Sequence, residues 1–202
     1  MIKDCHSMKL RFLVPVLALA LTTMAAHAQY GLYLNPVVTR FSINPPDTGD
    51  MAFLGNGQSS QVFGGLMFGG YDEFLHRNKV DIGVDIRDAW QHGNNATINS
   101  FLGGFIVEAK PMKFFKLKPY GEFLVGDGRT TSALNIAHIN RVQFGIYGGL
   151  DRPLNRHVDW RIAEVSWGEV QAINSQTFVF NGAAVPNTKM LGFSTGFVFR
   201  FK

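Results

Sequence analysis

The sequence predicts an all-β chain, an eight-stranded antiparallel up-and-down transmembrane β-barrel behind a cleaved N-terminal signal peptide. Three observations predict it. Residues 190–201 alternate with a two-residue period: Leu191, Phe193, Thr195, Phe197, Phe199 and Phe201 fall on one face, nearly all apolar, and Met190, Gly192, Ser194, Gly196, Val198 and Arg200 on the other. The N-terminal segment is basic, then apolar, then small-residued, as an export leader is. Between these ends, runs of about ten residues recur without a helical period, separated by turn-forming segments that alternate long and short.

In the leader, Lys9 and Arg11 precede an apolar run over 12–21, and Ala26-His27-Ala28 supplies the small residues a signal peptidase needs. Residues 1–28 are therefore expected to be a signal peptide cleaved after Ala28, and 29–202 the barrel. The apolar run is too short for a comfortable membrane span that stays attached. Asp4 is out of place in a positive leader, and Met8 would open a Met-Lys-Leu-Arg start, so Met1 and Met8 both stand as initiators. The single cysteine, Cys5, lies in this segment, which leaves the mature chain with no disulfide and no lipid-modified cysteine. The full chain carries 19 basic and 15 acidic residues, net +4. Losing Lys3, Lys9, Arg11 and Asp4 brings this to about +2, a balance that does not call for nucleic acid.

The first expected strand, 30–41, contains Pro36, tolerable at a bulge or where no ladder bond is needed. Residues 42–60, with Pro45-Pro46 and Asn56-Gly57, read as a long loop. The second strand, 61–71, is dense in glycine (Gly64, Gly65, Gly69, Gly70). No Gly-Lys-Ser/Thr and no helix follow, so these glycines read as close packing or bulges and not as a phosphate loop. The third strand, 80–88, alternates Val80, Ile82, Val84 and Ile86 with Asp81, Gly83, Asp85 and Arg87, and Trp90 follows where an interface girdle would begin. A polar loop is expected over 91–99. Strand four, 101–110, sets Glu108 and Lys110 on one face; after a compact turn, strand five, 117–126, sets Lys118, Tyr120 and Glu122 on one side. A third loop is expected over 127–140. Strand six, 141–150, aligns Val142, Phe144, Ile146 and Leu150, and strand seven, 158–167, sets Val158, Trp160 and Ile162 against Asp159 and Arg161. Residues 168–188 read as a long loop whose patch at 178–180 could form a small hairpin, and 190–201 is strand eight.

The long, short alternation of connections is what a barrel in the outer membrane requires: long outside loops, short periplasmic turns, both termini in the periplasm and an even strand number. In that setting the apolar parity faces lipid, and the lipid-facing set is Val80, Ile82, Val84, Ile86, Leu191, Phe193, Phe197, Phe199 and Phe201. A soluble exported barrel around a small apolar ligand is the alternative, and it would need the phenylalanine face inward. The segments at 80–87, 117–120, 148–151 and 158–161 resemble ones in the OmpA-like and OmpX-like small eight-stranded outer-membrane barrels of diderm bacteria. Residues 190–201 resemble the C-terminal sorting strand of such proteins, with Lys202 following the aromatic Phe201. The resemblance implies a location in the bacterial outer membrane among its lipid and lipopolysaccharide, and assembly by the barrel-assembly machinery through the C-terminal strand. It implies no common activity and names no ligand for the outside loops.

Eight strands enclose a space that side chains can fill, so charges pointing inward must be paired. The expected lumen ion-pair network, structural in role, is Asp81, Asp85, Arg87, Glu108, Lys110, Lys118, Glu122, Asp159, Arg161 and Arg200, with Asp159 meeting Arg200 and Asp81 meeting Lys110 near the periplasmic end. A gated proton or ion path is the functional alternative. Catalysis finds little support: His76, His92, His138 and His157 are scattered over turns and loops, and none has a serine two residues away on its strand face, as lipid A deacylases require. A lipid-modifying barrel enzyme is thus the weaker alternative, and neither cofactor nor metal is expected, because no His or Cys pair stands at ligand spacing. Lys110, Lys113, Lys116 and Lys118 with Phe114 and Phe115 read as an anchor at the lipid headgroups.

Overall fold

The alternating run near the C-terminus forms a strand that pairs with the first strand of the chain, and this single non-local pairing turns a row of hairpins into a closed barrel. The computed structural model describes residues 29–44, 46, 53–54, 57–94, 96–132, 135–172 and 187–201, without the side chains of 132–138 and 171–172. The leader with Ala26 and Ala28, and the patch at 178–180, lie outside the described residues. The strands are β1 (Gln29–Ile43), β2 (Ser60–His76), β3 (Val80–His92), β4 (Ala96–Ala109), β5 (Lys118–Ser132), β6 (Asn135–Pro153), β7 (Val158–Ala172) and β8 (Thr188–Phe201). Each pairs antiparallel with the next, and β8 returns to β1.

The two-residue period decides which face is which. Along β1 and β8 buried and exposed positions alternate almost without a break. The outward face carries Leu32, Leu34, Ile86, Phe101, Phe105, Phe193 and Phe197, and Phe105 is 62% exposed. The inward face carries Asn35, Asp85, Arg87, Glu122 and Arg161, of which Asp85 and Arg161 are 0% exposed. A water-soluble protein distributes these residue types the other way. Val84, Ile86, Leu191, Phe193, Phe197, Phe199 and Phe201 are exposed and Val80 and Ile82 half-buried, and an apolar ligand enclosed by the phenylalanine face of the last strand is excluded, because that face is on the outside.

The strands run further than composition suggests. The loops expected at 91–99 and 127–140 are instead the tips of raised hairpins: β3 reaches His92 and β4 starts at Ala96, while β5 reaches Ser132 and β6 starts at Asn135. Ile98 still turns inward there, fully buried. The outer face of these extensions carries polar side chains such as Thr97, Asn99 and Arg129, so a strand standing clear of an apolar surround looks like a loop in a polarity pattern. The expected alternation of connection lengths therefore holds only in part; at this end much of the spacing is overhanging strand. β7 likewise runs on to Ala172.

Two local features set the faces. Pro36 keeps register with Leu66 of β2, but toward β8 the pairing skips from Leu34–Phe197 to Val37–Ser194, as a residue lacking N–H requires on one side. Bulges then invert the parity twice. Around Phe74 the register shifts between Glu73 and Leu75, which turns His76 to the side of Glu73 and directly opposite Asp81. In β7 the shift between Arg161 and Glu164 turns Glu164 and Ser166 inward and Val165 and Trp167 outward. The Thr195 hydroxyl donates to the Arg161 carbonyl at this point, 2.9 Å away.

One glycine on each side of the β1–β2 ladder leaves space for a tyrosine. Gly69 pairs with Tyr33, and a Cβ there would lie 2.4 Å from the Tyr33 hydroxyl. Gly31 pairs with Tyr71, and a Cβ there would lie 2.6 Å from its ring. Each ring lies across the strand facing it.

Candidate functional site

The barrel interior is stacked in three storeys, beginning at the end that holds Gln29, Phe201 and the turns 77–79, 110–117 and 154–157. The first is a closed ring of alternating charge. Lys118 Nζ lies 3.3 Å from Glu108 and 2.6 Å from Asp159, while Arg200 lies 2.8 Å from Glu108 and 2.5 Å from Asp159. Four strands supply these groups, so the ring ties β4, β5, β7 and β8 together across the lumen. Beside it, Lys110 Nζ reaches Asp81 at 2.5 and 2.6 Å, and His76 Nδ1 approaches the same carboxylate at 2.8 Å.

The middle storey is built on two guanidinium groups. Arg87 lies 3.1 Å from Asp85 and 3.2 Å from Glu164, and it also pairs with Glu122. Arg161 makes two parallel hydrogen bonds to Asp151, 3.1 and 3.2 Å, and one to Glu164 at 3.2 Å. Tyrosine rings enclose both: Tyr147 lies 4.3 Å from Arg87, and Tyr33 and Tyr120 lie 4.7 and 4.4 Å from Arg161. A guanidinium is planar, so it can donate in its plane and stack on both faces, which lysine cannot do. The carboxylates receive further donors: Tyr33 to Asp85 at 2.9 Å, Tyr120 to Glu164 at 2.7 Å and Ser194 to Glu164 at 3.1 Å. Above this storey is a void of about 20 Å³, about enough for a single water.

The third storey is an apolar stopper. Phe41, Phe63 and Ile98 from the walls meet Phe53 and Leu54 from the β1–β2 connection, all buried. Phe41 packs edge-on to Phe53 and Phe63, with centroids 5.7 and 4.9 Å away. Arg141 caps this cluster, bonded to the Thr130 hydroxyl and lying over the Phe53 ring.

Of the ten expected lumen residues, Lys110 lies at the rim with its side chain 41% exposed, paired with Asp81; Glu108, Lys118, Asp159 and Arg200 meet in the ring, and Asp85, Arg87, Glu122 and Arg161 lie above it. Two readings are corrected. Lys118 belongs to the charge ring and Lys110 to Asp81, so only Lys113 and Lys116 remain with the exposed Phe114 and Phe115 as a surface anchor. His76 is bonded to Asp81 and not simply solvated. The sequence missed Glu164 because the β7 bulge reverses its face, Asp151 because it looked like the start of a turn, and Glu73 because it follows the expected end of strand two. Tyr33, Tyr120 and Tyr147 could have been found: each shares the inward parity of its strand.

Asp159→Ala is expected to destabilise the barrel by about 3 kcal/mol, toward the lower end for a broken buried pair because Glu108 still faces both cations. Urea unfolding in lipid vesicles measures this; a change near zero would show that the ring contributes nothing.

No family model matches the sequence, and no curated protein matches it. Among solved structures, the chain is similar to Neisserial surface protein A (NspA), with a TM-score of 0.54 and 13% identity over 85% of this chain and 97% of that one. It is similar to Ail, the attachment invasion locus protein of Yersinia pestis, with a TM-score of 0.53 and 9% identity over 86% of this chain and 99% of that one. The chain has the fold of the small eight-stranded outer-membrane barrels, with its apolar belt outward and its charges enclosed.

Proposed function

We propose that this is an integral protein of the bacterial outer membrane whose barrel is a plugged platform and not a pore, carrying its outward hairpins and connections as an interaction surface. The observation that carries the reading is the reversed distribution of polarity: a continuous apolar exterior around a lumen filled by ion pairs. A closed barrel leaves no strand edge unpaired, the condition for strands to cross hydrocarbon. The solved structures that this chain resembles in fold include one named a surface protein and one named for attachment, and this supports assigning the interaction surface to the outward ends of β3, β4, β5 and β6. On this reading residues 1–28 direct export and are removed after Ala28, the final strand is read by the barrel-assembly machinery, and the belt faces lipid and lipopolysaccharide.

The protein is expected to fractionate with outer membranes, to begin at Gln29, and to migrate faster on a gel when unheated. Recovery in the soluble periplasm without a heat-dependent shift would overturn the membrane reading. In planar bilayers the pure protein is expected to give no large steady conductance, since three storeys of side chains block the lumen. A stable porin-sized current would overturn the platform reading while leaving the location intact.

A further inference from the structure

The charges of the lower lumen do not balance. The ring sets two carboxylates against two cations, but the middle storey sets four carboxylates (Asp85, Glu122, Asp151, Glu164) against two guanidinium groups. At the rim Asp81 is paired with Lys110, while Glu73 lines a recess with Tyr71 and Arg200 and accepts no hydrogen bond from either. Among the described residues the deficit is sharpest at Glu73. Its side chain is 1% exposed, and neither carboxylate oxygen has a hydrogen-bond partner. A buried carboxylate in this state needs a proton or a cation.

The chain places two further ligand-bearing groups beside it. The Phe74 bulge sets His76 opposite Asp81 at the solvent-exposed rim, and one ligand atom from each of Glu73, His76 and Asp81 lies within 4.8 Å of the others. We propose that these three residues bind one divalent cation of the zinc class at the end of the barrel that carries the termini. The set of one imidazole and two carboxylates fits zinc with a water in the fourth position, and the imidazole disfavours calcium and magnesium. Ligands around such an ion sit at about 2.0 to 2.2 Å and so about 3.4 Å from one another, and the three groups, within 4.8 Å here, close together when the ion enters. Lys110, whose side chain is 41% exposed, stands on Asp81 as a competing cation and swings toward solvent when the ion enters. No spacing motif announces the site, because a bulge and a hairpin register assemble it.

The test uses the untagged barrel refolded in detergent, titrated with zinc chloride by calorimetry and with cobalt chloride by visible absorption. One ion per barrel is expected, with cobalt bands of a low-coordinate site. Glu73→Gln and His76→Ala are each expected to weaken binding about tenfold or more, His92→Ala to leave it unchanged, and Lys110→Met to tighten it. Glu73 makes no hydrogen bond, so Glu73→Gln should retain heat-dependent migration while losing the zinc-dependent rise in unfolding midpoint seen in the parent. Absence of saturable binding, or binding that survives both Glu73→Gln and His76→Ala, overturns the proposal.

Discussion

Arg161→Ala lowers the unfolding free energy of the barrel by about 4 to 5 kcal/mol, the upper end of the range for breaking a buried ion pair. The size follows from what the guanidinium holds. It donates to Asp151 and Glu164, is 0% exposed, and fills the space between Tyr33 and Tyr120. Without it, four carboxylates share Arg87 alone, and the two rings lose their common filler. Urea titration of the protein in vesicles, followed by tryptophan fluorescence, gives the value. A double-mutant cycle with Asp151→Asn separates charge from packing: the pair should lose less than the sum of the singles. Strict additivity, or a loss below 1 kcal/mol for Arg161→Ala, would show that the middle storey is incidental to stability.

Phe197→Arg costs about 2 to 4 kcal/mol by the depth-dependent penalty for a charge facing lipid. Phe197 projects outward from β8 in register with Leu34 and Trp160, both also apolar and outward. Ser194, three residues away, is 2% exposed and bonds Glu164 inside the lumen. A cysteine at 197 carrying a polarity-sensitive probe should report hydrocarbon and be quenched by lipid-borne quenchers, and the same probe at 194 should be shielded. Equal shielding at both positions, or quenching only at 194, would mean that the exterior does not face a bilayer.

Strand number, order and faces were legible because a period of two is unmistakable where a strand meets an apolar surround on one side and a charged lumen on the other. It is written plainly in 80–87 and 190–201. It fades where water covers the outer face, so the hairpin tips near His92 and Ser132 passed for loops. Two charge pairs were legible where parity ran unbroken from the expected strand, Asp81 with Lys110 and Asp159 with Arg200. One inserted residue defeats that reasoning: the bulges near Phe74 and Ala163 hid His76, which the register sets opposite Asp81 at the exposed rim, and Glu164, which is buried in the lumen. The storeys themselves could not be read from single strands, because height in a sheared barrel depends on the register of all eight.

The junction of β1 with β8 has a kinetic consequence. Seven of the eight pairings join neighbours in sequence, and each can form as a hairpin; the eighth, closed by the stacking of Tyr30 on Phe201 with centroids 5.1 Å apart, joins the two ends of the barrel. The links across the lumen depend on that junction, since Arg87 and Glu164 lie 77 residues apart and Glu108 and Arg200 lie 92 apart. A sheet with the junction open can keep its neighbour-strand pairs, such as Lys118–Glu108 and Arg161–Asp151, but lacks the cross-lumen partners of Arg87, Lys118 and Arg200, which is poorly tolerated away from water. Zipping of the final strand and formation of the cross-lumen pairs are therefore coupled, and closure carries the loop-closure cost of joining the two ends of the chain.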